Sequence, residues 1–292
     1  MMNDSYIVPA PKSLAVKEKA WKSAKILYIG IILLLMYLPV FFIIILSFNS
    51  SLVGNEFKGF TFRWYSQMFS KKKLTSAILN TLTISMLSTL ISTVMGTLFA
   101  IGINSLSKKK RQGLILLNNL PILNADIVSG VFLFFVFKVV GNVLQIRYPL
   151  GYLTLLLSHI FFSLPYVVLS VLPKLNEIDE NLFDAALDLG CKPYHALRKV
   201  IIPSIMGGIF SGAVLAFTMS IDDFTISYFV SGAKIQNLSI WIYSSSGNNR
   251  YGNIQSAYAF YSIFTVVLFV VLVGYNILSN RKVQKRRMGG KG

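Results

Sequence analysis

An all-α polytopic membrane protein with six transmembrane helices is the fold class this sequence predicts, and three observations predict it. The 292-residue chain is 54% hydrophobic and 13% charged, whereas an average soluble domain is roughly 25% charged. Its mean hydropathy is +0.62. Apolar runs long enough to cross a bilayer recur along it, with lysine and arginine gathered just outside them. A soluble fold has no means of hiding that much apolar surface. The net charge of +17 raises nucleic acid as a partner, but basic residues beside apolar spans follow the positive-inside pattern of membrane topology. No nucleic acid partner is therefore expected. The one cysteine, Cys191, excludes an internal disulfide and does not suit a cysteine-based metal site.

Residues 1–25 are polar and basic and read as a cytosolic N-terminus. Ile26 to Phe48 is an apolar run of 23 residues; at ~1.5 Å per residue it spans roughly 35 Å, enough for a hydrocarbon core of about 30 Å. It is too long for the apolar part of a signal peptide, so 26–48 is read as a retained first transmembrane helix. Residues 49–76 are polar, with Trp64 and Tyr65 as expected interfacial anchors. A five-helix core over 78–278 follows. Span two, Ile78 to Ile103, is rich in Ser and Thr, which lets helices approach closely inside a bundle. Span three, Leu114 to Phe137, contains Pro121, Asn124 and Asp126 and is expected to kink or break. Span four is Gly151 to Leu172, span five Ile205 to Val230 and span six Ile254 to Leu278. The basic tail 279–292 is read as cytosolic and disordered. With both termini inside, the inside segments hold 19 of the 28 Lys and Arg residues, as the positive-inside rule asks. No internal repeat of fixed period is visible.

The segment 173–204 stands apart. Five of the eleven acidic residues fall between Asn176 and Asp188, yet the segment lies between two apolar spans. Asn176 is an expected helix N-cap, with Glu177, Asp179 and Glu180 in the first turn. Ile178, Leu182, Ala185 and Leu189 recur at helical spacing as an expected apolar face, beside an acidic face of Glu177, Glu180, Asp184 and Asp188. Gly190 suits a left-handed helix end. Pro193 suits the first turn of a second helix, which Pro203 is expected to stop before span five. An acidic face is repelled by an anionic leaflet, so a cationic protein pocket is the expected partner.

The spacing Asp-Ala-Ala-x3-Gly-x9-Val-x-Ile-Pro, over Asp184, Ala185, Ala186, Gly190, Val200, Ile202 and Pro203, resembles the EAA loop of binding-protein-dependent ABC importer permeases. That signature is usually written Glu-Ala-Ala-x3-Gly-x9-Ile-x-Leu-Pro, so the departures are mild. The stretch SGAVLAFTMSIDDFTISYFVSG, Ser211 to Gly232, resembles the segment after that loop in permease subunits of spermidine/putrescine importers. The resemblance covers nearly the whole chain and implies a MetI-like fold in a prokaryotic cell (inner) membrane. It also implies a set of partners: cytosolic ABC ATPase subunits gripping the loop, a second homologous permease, an extracytoplasmic solute-binding protein and membrane lipids. ATP and magnesium would sit on the partner ATPase, and this chain would carry no catalytic residue, metal or cofactor. Asp184, Ala185, Ala186, Gly190, Pro203, Glu180 and Asp188 become the expected coupling residues.

Gly208, Gly212, Ala216 and Ser220 recur every four residues, a small-residue stripe for close helix packing. Asp223 and Ser227 continue near the same side, with Asp222 adjacent. A carboxylate at membrane depth costs about 2.5–3.5 kcal/mol on insertion scales, so such acids face a cavity or a partner. Asp222, Asp223, Asp126 and Ser227 are therefore candidates for a path taken by a polycation, a polyamine by the resemblance. Two other readings stand beside this: Asp222 and Asp223 cap helix ends, and Asp126 supports the Pro121 kink. At Asp126 the chain reads Ala-Asp-Ile-Val where the family often has Pro-Glu-Ile-Val. His159 is read as packing or local hydrogen bonding. A related importer for another small solute and an ion-gradient-driven secondary transporter are the alternatives. A membrane enzyme is set aside because no HExxH, GxSxG or Walker A pattern occurs.

Overall fold

In the computed structural model, residues 12–51, 57–179, 181–233, 235–246 and 253–289 are described. They form helices α1 (Lys12–Ser47), α2 (Arg63–Ser70), α3 (Lys72–Asn104), α4 (Lys108–Leu123), α5 (Asp126–Val143) and α6 (Tyr152–Asn176). Next come α7 (Asn181–Asp188), α8 (Pro193–Ala196), a π-turn (Leu197–Ile201), α9 (Ile202–Ser204), α10 (Met206–Ile221), α11 (Thr225–Val230), α12 (Leu238–Ser246) and α13 (Asn253–Gly289). Among the described residues the β content is one isolated bridge, Asn49 to Phe60. Five helical stretches are long and apolar enough to cross a membrane: Trp21–Ser47, Lys72–Asn104, Asp126–Val143, Tyr152–Asn176 and Ile254–Val271. A sixth is the pair Pro193–Ser204 and Met206–Ile221, bent by 69°.

Two expected spans are redrawn. Span three divides into α4 and α5 with Asn124 and Ala125 extended between them. Pro121 offers no N–H to the helix, and the crossing stretch begins at Asp126, well beyond Leu114. Span five divides too: α10 ends at Ile221, and after Asp222–Phe224 the short α11 starts afresh. At the tail, helix continues through Gly289, where a disordered end was expected. At the other end, residues 12–25 belong to α1.

The chain divides into two compact units. In the first, Met1–Met68 with Tyr251–Gly292, α1 packs on α13. Trp64 is buried there, its Nε1 donating to the Asn49 carbonyl at 2.6 Å. Gln255 Nε2 donates to the Ser51 carbonyl at 3.2 Å. Trp64 is thus a core residue of this unit, not the interfacial anchor its neighbourhood suggested, because a buried indole N–H seeks an internal acceptor.

The second unit, Phe69–Arg250, is built on the mutual packing of α3, α6 and α10. The small-residue stripe makes that possible. Gly208, Gly212, Ala216 and Ser220 are all buried; a Cβ on Gly208 would lie 2.8 Å from the Ser170 carbonyl, and one on Gly212 3.1 Å from Val167 Cα. From the other side, a Cβ on Gly96 would lie 2.8 Å from Val167 Cβ. The hydroxyl-rich face of α3 turns inward, with Ser85, Ser88 and Ser92 buried. One apolar cluster (Ile103, Val171, Leu175, Ile201, Ile205) joins the ends of α3 and α6 to the π-turn and α10. A second (Ile84, Leu155, Phe162, Ile226, Val230) surrounds α11.

Candidate functional site

The segment after α6 is locally determined. Asn176 closes α6 instead of capping the next helix, and its side-chain oxygen accepts from Arg111. The turn into α7 is made by Asp179, whose Oδ1 accepts from the Asn181 backbone N–H at 2.9 Å and whose carbonyl accepts from Leu182 at 3.0 Å. Glu180 lies outside the described residues. α7 ends as a Schellman motif: Cys191 N–H donates to the Ala186 carbonyl at 3.1 Å and Gly190 N–H to Leu187 at 2.8 Å. Gly190 has φ +83°, a left-handed conformation that a side chain would strain.

The expected apolar face divides: Ile178 packs on the α3–α6–α10 cluster, and its other three members point outward. Phe183, Ala186 and Leu187 turn inward, and Leu182, Ala185 and Leu189 are exposed, Leu189 to 88%. The inward set also has helical spacing and is anchored by Phe183, which packs on the α3–α6–α10 cluster. Asp184 and Asp188 are exposed beside the outward apolar row. α7 therefore presents leucine, alanine and two carboxylates to whatever covers it.

From α8 the chain runs continuously to α10. Pro193 takes the first helical position, and the π-turn Leu197–Ile201 follows, with Ile202 N–H donating to the Leu197 carbonyl. A proline in a helix removes one donor and crowds the carbonyl four residues back; a π-turn just before Pro203 accommodates both. Pro203 does not stop the helix. It lies within α9, and the bend comes at Ile205, which is fully buried.

At the α10–α11 break the two neighbouring acids have separate environments. The Asp223 side chain is 8% exposed and caps α11: Oδ2 accepts from the Ser227 backbone N–H at 2.8 Å and Oδ1 from Ile226 at 3.3 Å. Ser227 Oγ donates to Asp223 Oδ2 at 2.7 Å. His159, on α6 and 2% exposed, reaches Asp223 Oδ2 at 3.7 Å through Nε2. The same imidazole lies 2.6 Å from Ser220 Oγ and 3.0 Å from Ser227 Oγ, and Ser220 lies 3.0 Å from Ser88 Oγ on α3. Four helices meet in this one polar network. The Asn237 side chain also donates to the Asp223 carbonyl, at 2.8 Å.

Asp222, by contrast, is exposed. Asp126 is exposed at the start of α5. One turn on from Asp126, a Cβ on Gly130 would lie 3.3 Å from Ile226 Cα, so α5 and α11 touch. The four candidate path residues thus lie on neighbouring elements, but Asp223 and Ser227 are committed to the buried network and Asp222 and Asp126 are open. Ser85, Ser88 and Ser220 enter no sequence-based site, whereas His159, read as packing or local hydrogen bonding, does make such bonds, to Ser220 and Ser227. Ser220 lies 61 residues from His159 and 135 from Ser85 in the chain, and no spacing signal connects the three elements.

Residues 111–285 match the family described as the binding-protein-dependent transport system inner membrane component. The spermidine/putrescine transport system permease protein PotC of Haemophilus influenzae is 34% identical over 72% of this chain and 79% of its own length. PotC of Escherichia coli K12 is 31% identical over 85% and 91%, and the putrescine transport system permease protein PotI of the same organism 30% over 80% and 82%. A chain from the crystal structure of a bacterial ABC transporter importing the acidic polysaccharide alginate superposes with TM-score 0.69 at 19% identity, over 93% of this chain and 99% of that one. Helix order, bent spans, sequence match and superposition agree: the chain is a multi-pass membrane protein of the binding-protein-dependent transport system inner membrane component family.

Proposed function

We propose that this chain is a translocating permease subunit of an ATP-driven polyamine importer, coupled through α7 and α8 to a separate ATPase. The observation that carries the coupling role is the outward face of α7. Leu182, Ala185 and Leu189 are exposed in one row with Asp184 and Asp188 beside it, and the turn at Gly190 leads without interruption to the bend at Ile205. Exposed apolar rows flanked by charge mark interaction sites. A push on α7 is transmitted through a well-hydrogen-bonded turn into α10, which is packed glycine-to-backbone on α6. The Lys and Arg counts support a cytosolic side for this segment and both termini. ATP closes the ATPase pair, the docking segments move together, and the bundle reorients to pass solute from an extracytoplasmic binding protein inward. A sister permease completes the path.

Polyamine as cargo is supported by the names of the PotC and PotI relatives and by exposed carboxylates at Asp222 and Asp126 with no lysine or arginine in α10 or α11. The test is uptake and ATP hydrolysis by the reconstituted importer. Gly190→Val, which strains the turn, should abolish spermidine-stimulated hydrolysis while the complex still assembles. Stimulation equal to wild type would refute the coupling role. Uptake that survives ATP depletion and collapses with the ion gradient would instead identify a secondary transporter.

A further inference from the structure

Beyond the carboxylates, the α10–α11 break carries aromatic rings that the buried network does not use. Phe224 follows Asp222 by two residues, Tyr228 lies on α11 and Tyr243 on α12. Their centroids are 5.5 Å (Phe224–Tyr228), 5.0 Å (Phe224–Tyr243) and 6.0 Å (Tyr228–Tyr243) apart. Tyr228 and Tyr243 are 52% and 60% exposed. Among the described residues neither hydroxyl has a hydrogen-bond partner, so no internal contact accounts for a tyrosine at either place. Ser239, one turn before Tyr243 on the same side of α12, donates to the Asp222 carbonyl at 3.4 Å. That bond ties α12, and with it Tyr243, to the break.

Asp222 is exposed, and among the described residues no lysine or arginine pairs with it. Its neighbour is satisfied internally: Asp223 is held by two backbone N–H groups, the Ser227 hydroxyl and His159. One carboxylate of the pair is thus left for an external cation. An aromatic face attracts a cation within about 6 Å of its centroid, and three centroids this close allow one cation to lie within that distance of all three. An apolar occupant would fit the rings but leave the carboxylate unanswered; a metal ion would want further oxygen ligands, and the described residues hold no cluster of three or more acids, histidines or cysteines suited to one.

We propose that Asp222, Phe224, Tyr228 and Tyr243 form a station for one ammonium group of an organic polycation, carboxylate on one side and ring faces on the other. Its binding of an ammonium group is independent of the proposed cargo; its place in transport rests on that reading. The arrangement explains how a permease passes a polycation without trapping it: one charge contact and several weak ring contacts are made and released together.

The test uses the assembled importer with fluorine-labelled tyrosine, the Tyr228 and Tyr243 resonances being assigned by Tyr→Phe replacement. Tetramethylammonium and spermidine are the probes. Both resonances should shift saturably with each cation, and Asp222→Asn should weaken this by about tenfold, the loss of one charge-assisted contact. Tyr228→Leu with Tyr243→Leu should raise the KM for spermidine uptake about fivefold with kcat little changed, whereas the double Phe variant, which keeps the ring faces, should stay within about twofold. The three substituted side chains, Asp222, Tyr228 and Tyr243, are exposed, and assembly is checked by size exclusion. Resonances that ignore both cations, or Leu and Phe variants that behave alike, overturn the station. So do resonances that move only when the sister permease binds, because the rings are then a subunit contact. Shifts with tetramethylammonium in an importer that carries no polyamine would uphold the station and refute the cargo; normal spermidine uptake by the Leu variant, with Tyr228 and Tyr243 resonances of the unsubstituted importer that ignore both cations, would do the reverse.

Discussion

Asp223 Oδ2 sits 2.8 Å from the Ser227 N–H and 2.7 Å from its hydroxyl, so the carboxylate is part of how α11 starts. Losing an N-cap costs about 1 kcal/mol, and stranding buried His159 and Ser227 adds about as much again. Asp223→Ala is therefore expected to lower the thermal stability of the purified complex clearly, and Asp222→Asn to leave it unchanged while reducing spermidine uptake; a melting curve and an uptake assay on the two variants check both. Replacing both residues at once, Asp222→Asn with Asp223→Asn, would mix the two effects. In the sequence these residues are indistinguishable, an adjacent pair in an apolar run. What separates them is the break after Ile221 and a histidine 64 positions upstream, and neither has a local signature. Gly190 is the opposite case: its left-handed φ of +83° was legible because a glycine after a helical row with Pro193 beyond it has few other uses.

At the scale of elements, the spans were visible because each needs its own long apolar run, and the stripe of Gly208, Gly212, Ala216 and Ser220 could be read as a packing face from its period alone. Inside a bundle, however, hydrophobicity carries little information about where a helix stops. The α4–α5 break is legible in Pro121, Asn124 and Asp126, where the structure puts it, but the α10–α11 break falls in sequence that is apolar on both sides, and the apolar row Leu182, Ala185, Leu189 carries no sign of whether it faces in or out, because periodicity marks two candidate sides of a short helix without ranking them. The tight packing makes Gly96→Val an instructive change. Its Cβ would lie 2.8 Å from Val167 Cβ, and overpacking of this kind costs about 1–3 kcal/mol, so a lower melting temperature with lost uptake is expected. Pro203→Ala restores a backbone N–H and removes the reason for the π-turn. A regular α-helical turn there would rotate α8 relative to α10, and the expected result is normal basal ATP hydrolysis with reduced spermidine stimulation, measured on the reconstituted complex.

For the molecule as a whole, function follows from joining a surface element to a membrane element. The second unit holds α7, the bend at Ile205 and the α10–α11 break in one chain of contacts through α3 and α6, so under the proposed coupling a movement at α7 would reach Asp222 without crossing a loose joint. The central claim, that α7 and its turn are gripped by an ATP-hydrolysing partner, is tested most directly with the chain's own Cys191, half-buried in that turn. In the assembled importer a short bifunctional maleimide should link Cys191 to a cysteine placed in the facing groove of the ATPase, and Leu189→Glu, which puts a charge in the exposed row, should abolish the product. A Cys191 that links to no ATPase subunit in an intact, active complex, or that is labelled only from the extracytoplasmic side, would contradict the account.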